Sequence, residues 1–205
     1  MRVIVTAGPT REPIDSVRFI TNASSGKMGY ACAAAAAAAG HEVTLISGPT
    51  HLGPPPNCRL VRIVTVEQLQ AALEARFAAC DALIMSAAVG DFTVAQPSAT
   101  KLPRAGGPVT ITLVPTPDIL AGLGRRRRAD QVLVAFAVED GADQDKARRE
   151  MLAKNADFVV VNSPAAMAAD DSEACILGRE GLALPWARRD KRSLADEIVR
   201  LLGSR

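Results

Sequence analysis

The chain is organised by one alternation: short β-branched runs, each closed by a glycine, proline or serine turn, separated by stretches long enough for a single helix. Arg2-Val-Ile-Val-Thr6 ends in Ala7-Gly8-Pro9, Glu42-Val-Thr-Leu-Ile46 ends in Ser47-Gly48-Pro49, and Ala82-Leu-Ile-Met85 leads into Ser86-Ala-Ala-Val-Gly-Asp91. Short continuous apolar runs suit strands buried on both faces, which belong in a parallel sheet covered by helices on each side. Further strands are expected at 60–64, 131–137 and 157–161, with helices at about 25–39, 66–79 and 143–155. Ser24 or Ser25 is expected to cap the first helix, and Gly40 to follow its end. The fold class that follows is α/β, a Rossmann-like three-layer arrangement with a mostly parallel sheet, a flap and a small antiparallel portion. At 205 residues, one domain spanning 1–205 is the expectation.

Two stretches break the rhythm. Residues 93–108, with Pro97, Pro103, Gly106 and Gly107, are too polar and kinked for a core element and read as a flap. Residues 109–114 set Val, Ile and Leu against Thr, the pattern of a strand with an exposed face. Near the end, 174–186 reads as a short hairpin and 193–202 as an amphipathic closing helix capped by Ser193.

Composition excludes several function classes. Aromatics are 3% of the chain, so the core is built from Ala, Val, Leu and Ile. Lys plus Arg total 24 against 22 Asp plus Glu, a formal +2, too balanced to name nucleic acid as a partner. The block Arg125 to Arg128 has no interleaved aromatics and reads as a solvated loop or helix end. Cys32, Cys58, Cys80 and Cys175 are scattered without C-x-x-C spacing, and with only His41 and His51 they offer no metal cluster. The start enters a strand directly, without a leader-like region, and the apolar run 30–39 is too short to span a bilayer. A cytoplasmic protein with no membrane partner is expected.

In open parallel sheets ligands sit beyond the carboxyl ends of strands, where strand order reverses. Unusual residues gather at those ends: 7–22, 86–91, 116–120, 136–140 and Asn162. The first turn lacks G-x-G-x-x-G. Ala23-Ser24-Ser25-Gly26-Lys27 lacks P-loop spacing, since no glycine stands five residues before Gly26. Its physical content is a helix start rich in Ser and Gly, which with Gly8 suits an anion, or else a plainly capped helix. Arg18 brings a guanidinium fork for carboxylate or phosphate, and Asn22 both donates and accepts. Asp91 suits sugar hydroxyls, and Lys101 stands in the flap.

Read together, Val5-Thr-Ala-Gly-Pro-Thr-Arg-Glu12, Arg18-Phe-Ile-Thr-Asn22, Ser24-Ser-Gly-Lys-Met-Gly29, Ser86-Ala-Ala-Val-Gly-Asp91, Lys101, Thr116-Pro-Asp-Ile-Leu120, Ala135-Phe-Ala-Val-Glu139 and Lys154-Asn-Ala-Asp157 occur in a telling order. That order resembles the phosphopantothenoylcysteine synthetase family, the phosphopantothenate–cysteine ligases of coenzyme A biosynthesis. The resemblance implies that the carboxylate of 4′-phosphopantothenate attacks the α-phosphate of CTP, releasing pyrophosphate. The amine of L-cysteine then attacks the acyl-cytidylate and releases CMP. It implies Mg²⁺ to offset the triphosphate charge, a homodimer, and a separate phosphopantothenoylcysteine decarboxylase as pathway neighbour. It assigns Asn22 to the activated acyl group with Arg18 beside it. Met85, Ser86, Ala87, Asp91, Pro117, Asp118, Ile119, Leu120 and Phe136 line the nucleotide pocket in this assignment, Lys101 closes over the phosphates, and Lys154 adds a second positive charge.

The chain departs from the family pattern in three places. Glu150 stands where bacterial-type members often place a second lysine, with Arg148 or Arg149 as substitutes. Residues 163–173 lack the Phe- and Asn-containing stretch of the family. No flavin-dependent decarboxylase domain precedes the first strand, so no flavin is expected. Two readings of other classes stand beside the ligase: a non-catalytic nucleotide-binding homologue, and an NAD(P)-dependent oxidoreductase. The second lacks both G-x-G-x-x-G and a ribose-binding acid after the second strand.

Overall fold

A computed structural model describes residues 1–104, 107–139, 143–164 and 169–203. In chain order the elements are β1 (Arg2–Ala7), β2 (Arg11–Pro13), β3 (Phe19–Thr21), α1 (Lys27–Ala38), β4 (Glu42–Ser47), β5 (Cys58–Arg62), α2 (Val66–Phe77), β6 (Ala82–Met85), β7 (Phe92–Val94), β8 (Leu113–Pro115), α3 (Ile119–Gly124), β9 (Val132–Val138), α4 (Gln144–Ala153), β10 (Phe158–Asn162), β11 (Asp171–Gly178), β12 (Gly181–Asp190) and α5 (Lys191–Leu201). Eight strands form the main sheet in the order β12-β11-β10-β9-β6-β1-β4-β5. The six from β10 to β5 are parallel, and β11 and β12 extend them as an antiparallel hairpin. The chain runs outward from β1 through β4 to β5, then returns to β6 on the other side of β1. Strand order therefore reverses between β1 and β6, which puts a crevice there.

The apolar runs of the sequence are apolar because both faces are covered. Val3 and Val5 of β1 join Leu45, Ile84 and Val134 beneath α1 and α5, while Ile4 joins Ile46, Leu83 and Leu133 beneath α2, α3 and α4. Alternate residues of one strand thus feed two cores, the three-layer arrangement expected from the pattern. Gly29 lets α1 lie close on β1: a Cβ there would fall 2.5 Å from the Ala7 Cβ and 2.7 Å from the Thr6 carbonyl oxygen.

Several local expectations change. Neither Ser24 nor Ser25 caps α1. The cap is Gly26, at φ +79°, without a side-chain cap bond. The reason is close packing of the first turn on the helix start, where a Cβ on Gly26 would sit 3.3 Å from the Gly8 Cα and 2.7 Å from the Thr50 methyl. Only a residue tolerant of positive φ and lacking a side chain fits. Ser193 does not cap α5 either. Asp190, one turn earlier, accepts from the Ser193 N–H at 2.9 Å and the Ser193 hydroxyl at 2.6 Å. Of the expected strand 109–114 only the end is strand, as β8, because its partner β7 is three residues long. The C-terminal hairpin is longer than expected, and the short β2–β3 hairpin and α3 arise where no element was expected.

The arginine block is not solvated throughout. Arg127, with 9% of its side chain exposed, forms an ion pair with Asp157, whose side chain is 3% exposed. Arg128 donates to the Ala78 and Cys80 carbonyls. A basic run adjoining a buried carboxylate is drawn into the structure, since Asp157 also accepts from the Leu133 N–H at 2.9 Å and needs a counter-charge. Cys32, Cys80 and Cys175 are buried as expected, and burial pushes the Cys32 thiol up to about 12. Residues 105 and 106 of the flap, Asp140, and 165–168 of the altered stretch lie outside the described residues. Among the described residues no helix is long and apolar enough to cross a membrane.

Candidate functional site

The crevice between β1 and β6 opens into a cavity of about 480 Å³, within the usual range for small-ligand sites. Its floor is the loop after β6, and the sequence specifies how that loop is held. The Thr6 hydroxyl accepts from the Ala87 N–H at 3.0 Å, the Gly8 carbonyl from the Ala88 N–H at 3.0 Å, and the Thr10 hydroxyl from the Gly90 N–H at 3.0 Å. On the other side the Thr116 hydroxyl donates to the Gly90 carbonyl at 2.6 Å. Asn22 completes the bracing: its Nδ2 donates to the carbonyls of Ala88 and Val89, each at 3.1 Å. Both amide protons are thus used on the loop, and the side-chain oxygen is what Asn22 offers a ligand.

Met85, Ser86, Ala87 and Asp91 line the cavity together with Pro117, Asp118, Ile119, Leu120, Phe136 and Lys154, as do Asn22, Ser24 and Gly26. Residues from five separated stretches of sequence therefore meet in one place. Asp118 caps α3 by accepting from the Ala121 N–H at 2.9 Å, and its other carboxylate oxygen lies 3.4 Å from the Lys154 ammonium. Ser25 and Gly8 stand just behind the wall. Ser25 accepts from the Lys27 N–H at 3.5 Å, and Gly8 packs on Gly26.

Arg18 and Lys101 are not among the residues that line this cavity, whereas Asn22 is. A closer carboxylate holds the guanidinium: Arg18 Nε donates to Asp15 Oδ2 at 2.8 Å, and a second nitrogen reaches the Leu102 carbonyl at 3.0 Å. Asp15 also accepts from the N–H groups of Val17, Arg18 and Leu102. The hydrogen bond from Arg18, with those backbone donors, holds the Asp15 carboxyl well below the usual carboxylate range. The hairpin loop is thereby fastened to the flap, and Lys101, next to Leu102, is exposed. Glu150, Arg148 and Arg149 also lie off the cavity, and Arg148 donates to the Arg179 carbonyl at 2.7 Å. Lys154 thus supplies the cation on this side without a companion from α4.

Lys27, Asn162, Ser172 and Lys191 also line the cavity, without a role assigned to them from the sequence. Lys27 lay inside a quoted motif, and Asn162 marked a strand end. Ser172 and Lys191 carried no signal, because the β10–β11 pairing that brings them to the rim is non-local. The Asn162 Oδ1 is buried without a hydrogen-bond partner. Among the described residues no group of three or more His, Cys, Asp or Glu side chains is arranged to hold a metal.

Residues 1–204 match the family model described as the DNA/pantothenate metabolism flavoprotein C-terminal domain. A protein called cysteine/cysteine sulfinic acid decarboxylase, from an unidentified prokaryote, is 46% identical over 166 residues, which are 79% of this chain and 45% of that protein. The coenzyme A biosynthesis bifunctional protein CoaBC of Escherichia coli K12 is 37% identical over 209 residues, 97% of this chain and 52% of its own length. The chain thus spans about half the length of the curated relatives it matches. The crystal structure of the C-terminal domain of a CoaBC protein superposes with a TM-score of 0.83 at 34% identity, covering 98% of this chain and 93% of that one. A Cab2 variant in complex with phosphopantothenate-cysteine shares the fold, with a TM-score of 0.84 at 18% identity over 99% of this chain and 86% of its own.

Proposed function

The chain belongs to the family of the DNA/pantothenate metabolism flavoprotein C-terminal domain, and from that premise we propose that it is a phosphopantothenate–cysteine ligase domain using CTP. One observation carries the reading: residues from most of the motifs that resemble the synthetases, far apart in sequence, line a single cavity at the switch point of the sheet, with Asn22, the 86–91 loop, the 116–120 turn, Phe136 and Lys154 among them. The product that Cab2 holds in its complex is the compound this reaction would make.

In this reading a carboxylate oxygen of 4′-phosphopantothenate attacks the α-phosphorus of CTP, the bond to the bridging oxygen breaks, and pyrophosphate leaves. The cysteine amine then attacks the acyl carbon of the mixed anhydride. CMP departs, the amine loses a proton, and an amide remains. Activation is required because a free carboxylate is a poor electrophile toward an amine. The braced loop and the 117–120 turn hold the nucleotide. Asn22 keeps the loop fixed and presents its oxygen beside the acyl group. Lys154 and the N-terminal end of α1 stabilise negative charge, an effect strengthened where water is excluded. Lys101 approaches only when the flap moves inward. Mg²⁺ carried on nucleotide phosphates needs one or two protein carboxylates, and Asp91 and Asp118 line the cavity to provide them; the ion would offset charge on the departing pyrophosphate. The exposed apolar side chains of Phe92, Val109, Ile111, Leu113 and Val114 support a homodimer through the β7–β8 face.

The test incubates the protein with 4′-phosphopantothenate, L-cysteine, Mg²⁺ and either CTP or ATP, scoring the amide product by mass and pyrophosphate by enzymatic assay. Cysteine-dependent amide with CTP is the expected result. Amide with ATP alone would replace CTP in the proposal. No amide with either nucleotide, from folded protein, would overturn it.

A further inference from the structure

Lys154 reaches the cavity from the far end of α3. Its ammonium lies 3.4 Å from Asp118, the cap at the start of that helix. Its main chain instead rests against Gly124, the last residue of α3: a Cβ on Gly124 would fall 2.0 Å from the Lys154 carbonyl oxygen. The pair with Asp118 is a weak anchor, since the lysine side chain is 33% exposed and the aspartate side chain 49%, and ion pairs between such groups contribute little. Where the ammonium stands therefore depends on how the main chain at 154 is held. Asn155, just past the end of α4, is in the left-handed region at φ +52°. The Asn155 and Ala156 N–H groups close the helix on the Leu152 and Met151 carbonyls, each at 3.0 Å. Glycine is the usual residue at that position of a helix end, so the backbone alone does not ask for an asparagine. The side chain adds two bonds: Nδ2 donates to the Gly124 carbonyl at 2.8 Å, and Oδ1 accepts from Arg179 at 2.6 Å. Arg179, in the turn between β11 and β12, is itself fixed, its Nε donating to Asp157 at 3.3 Å and its carbonyl accepting from Arg148 at 2.7 Å. The end of α3, the end of α4 and the β11–β12 turn are thus joined through one amide.

We propose that Asn155, oriented by Arg179, is a positioning residue for Lys154 and fixes where the ammonium meets the charge of the nucleotide. The proposal deepens the ligase reading and rests on it for the choice of CTP as the ligand. Asn155 is not among the residues that line the cavity. It acts by tying the Lys154 main chain to α3, whose start lines that cavity, so the cation and this wall keep one spacing.

A double-mutant cycle tests this, because residues that act through one another give non-additive losses. Asn155→Gly keeps the helix end and removes both side-chain bonds. Calorimetric titration with CTP should show about fivefold weaker binding for Asn155→Gly, the order of one lost hydrogen bond. The same change made in Lys154→Met should add less than about twofold, whereas a merely structural role gives the same loss in both backgrounds. Arg179→Met should follow this pattern with about a threefold loss, and Arg179→Lys, which keeps a charged donor for Asn155, should recover part of it. A further loss above about twofold in the Lys154→Met background overturns the proposal. So does CTP affinity within about twofold of wild type in Asn155→Gly, or a wild-type protein that binds no CTP. No recovery in Arg179→Lys overturns the part given to Arg179. If Asn155→Gly fails to fold, Arg179→Met carries the same criteria. Coupled losses of CTP affinity in a protein that makes no amide with CTP or ATP would leave the positioning role standing while the ligase reading falls. Amide formation with additive losses would do the reverse.

Discussion

The cavity wall and the hairpin–flap patch both carry residues from the same sequence motifs, yet they are built for different work. On the wall, Asn22, the 86–91 loop and the 116–120 turn are cross-braced by backbone and hydroxyl hydrogen bonds and leave side chains facing open space. In the patch, Arg18 is only four residues from Asn22, but Asp15 claims its guanidinium and the bond to Leu102 ties it to the flap. Two polar residues four positions apart therefore make different attachments, Asn22 to the loop after β6 and Arg18 to Asp15 and the Leu102 carbonyl. A motif gives the order of residues; the nearest available counter-charge determines which of them remain available to a substrate.

That contrast can be broken by substitution. Asn22→Ala should lower amide formation by about 100-fold or more, because the loop loses its brace and the reacting group loses a fixed dipole; single-turnover product mass measures it. Turnover within threefold of wild type would make the wall no more important than the patch. Away from both regions, Asp157→Ala should cost about 3–5 kcal/mol in urea unfolding by leaving Arg127 buried and unpaired, a reference for what an engaged arginine contributes when it is buried. Lys154→Met should lower CTP affinity by about tenfold with little change in unfolding, since the partly exposed Asp118 can be solvated when it loses its partner.

Smaller effects are expected in the patch. Arg18→Ala should change nucleotide affinity by less than about threefold while increasing proteolytic cleavage within the flap. A loss of CTP binding as large as that of Lys154→Met would return Arg18 to the site. Asp15 supplies a pH signature. Its carboxyl is depressed in the folded state, so its stabilising contribution is complete above the ordinary carboxylate pKa of about 3.9 and is lost as pH falls through the depressed value. Asp15→Asn should lower the melting temperature at neutral pH and make the acid side of the pH–stability profile shallower than that of wild type.

The main sheet was legible because burial on two faces leaves continuous apolar runs, and every parallel strand was found within a few residues. The rim residues were legible because strand ends in such a sheet have a known relation to ligands. Lys191 was not, since it reaches the cavity only through β11 and β12, which pair antiparallel at the sheet edge. Arg127 read as solvated because nothing local reveals that Asp157, thirty residues later, is buried beside it.

What the sequence determined by itself is the framework: alternating strands and helices in a mostly parallel sheet, with the site residues gathered at the carboxyl ends of its strands. These follow from local periodicity, which acts over a few residues. Only the tertiary structure decided how charges were shared. Asp15 and Asp157 claim Arg18 and Arg127, while Lys27 and Lys191 are brought to one wall. Ion pairing and desolvation depend on distances between segments far apart in the chain, and those distances exist only once the sheet has closed.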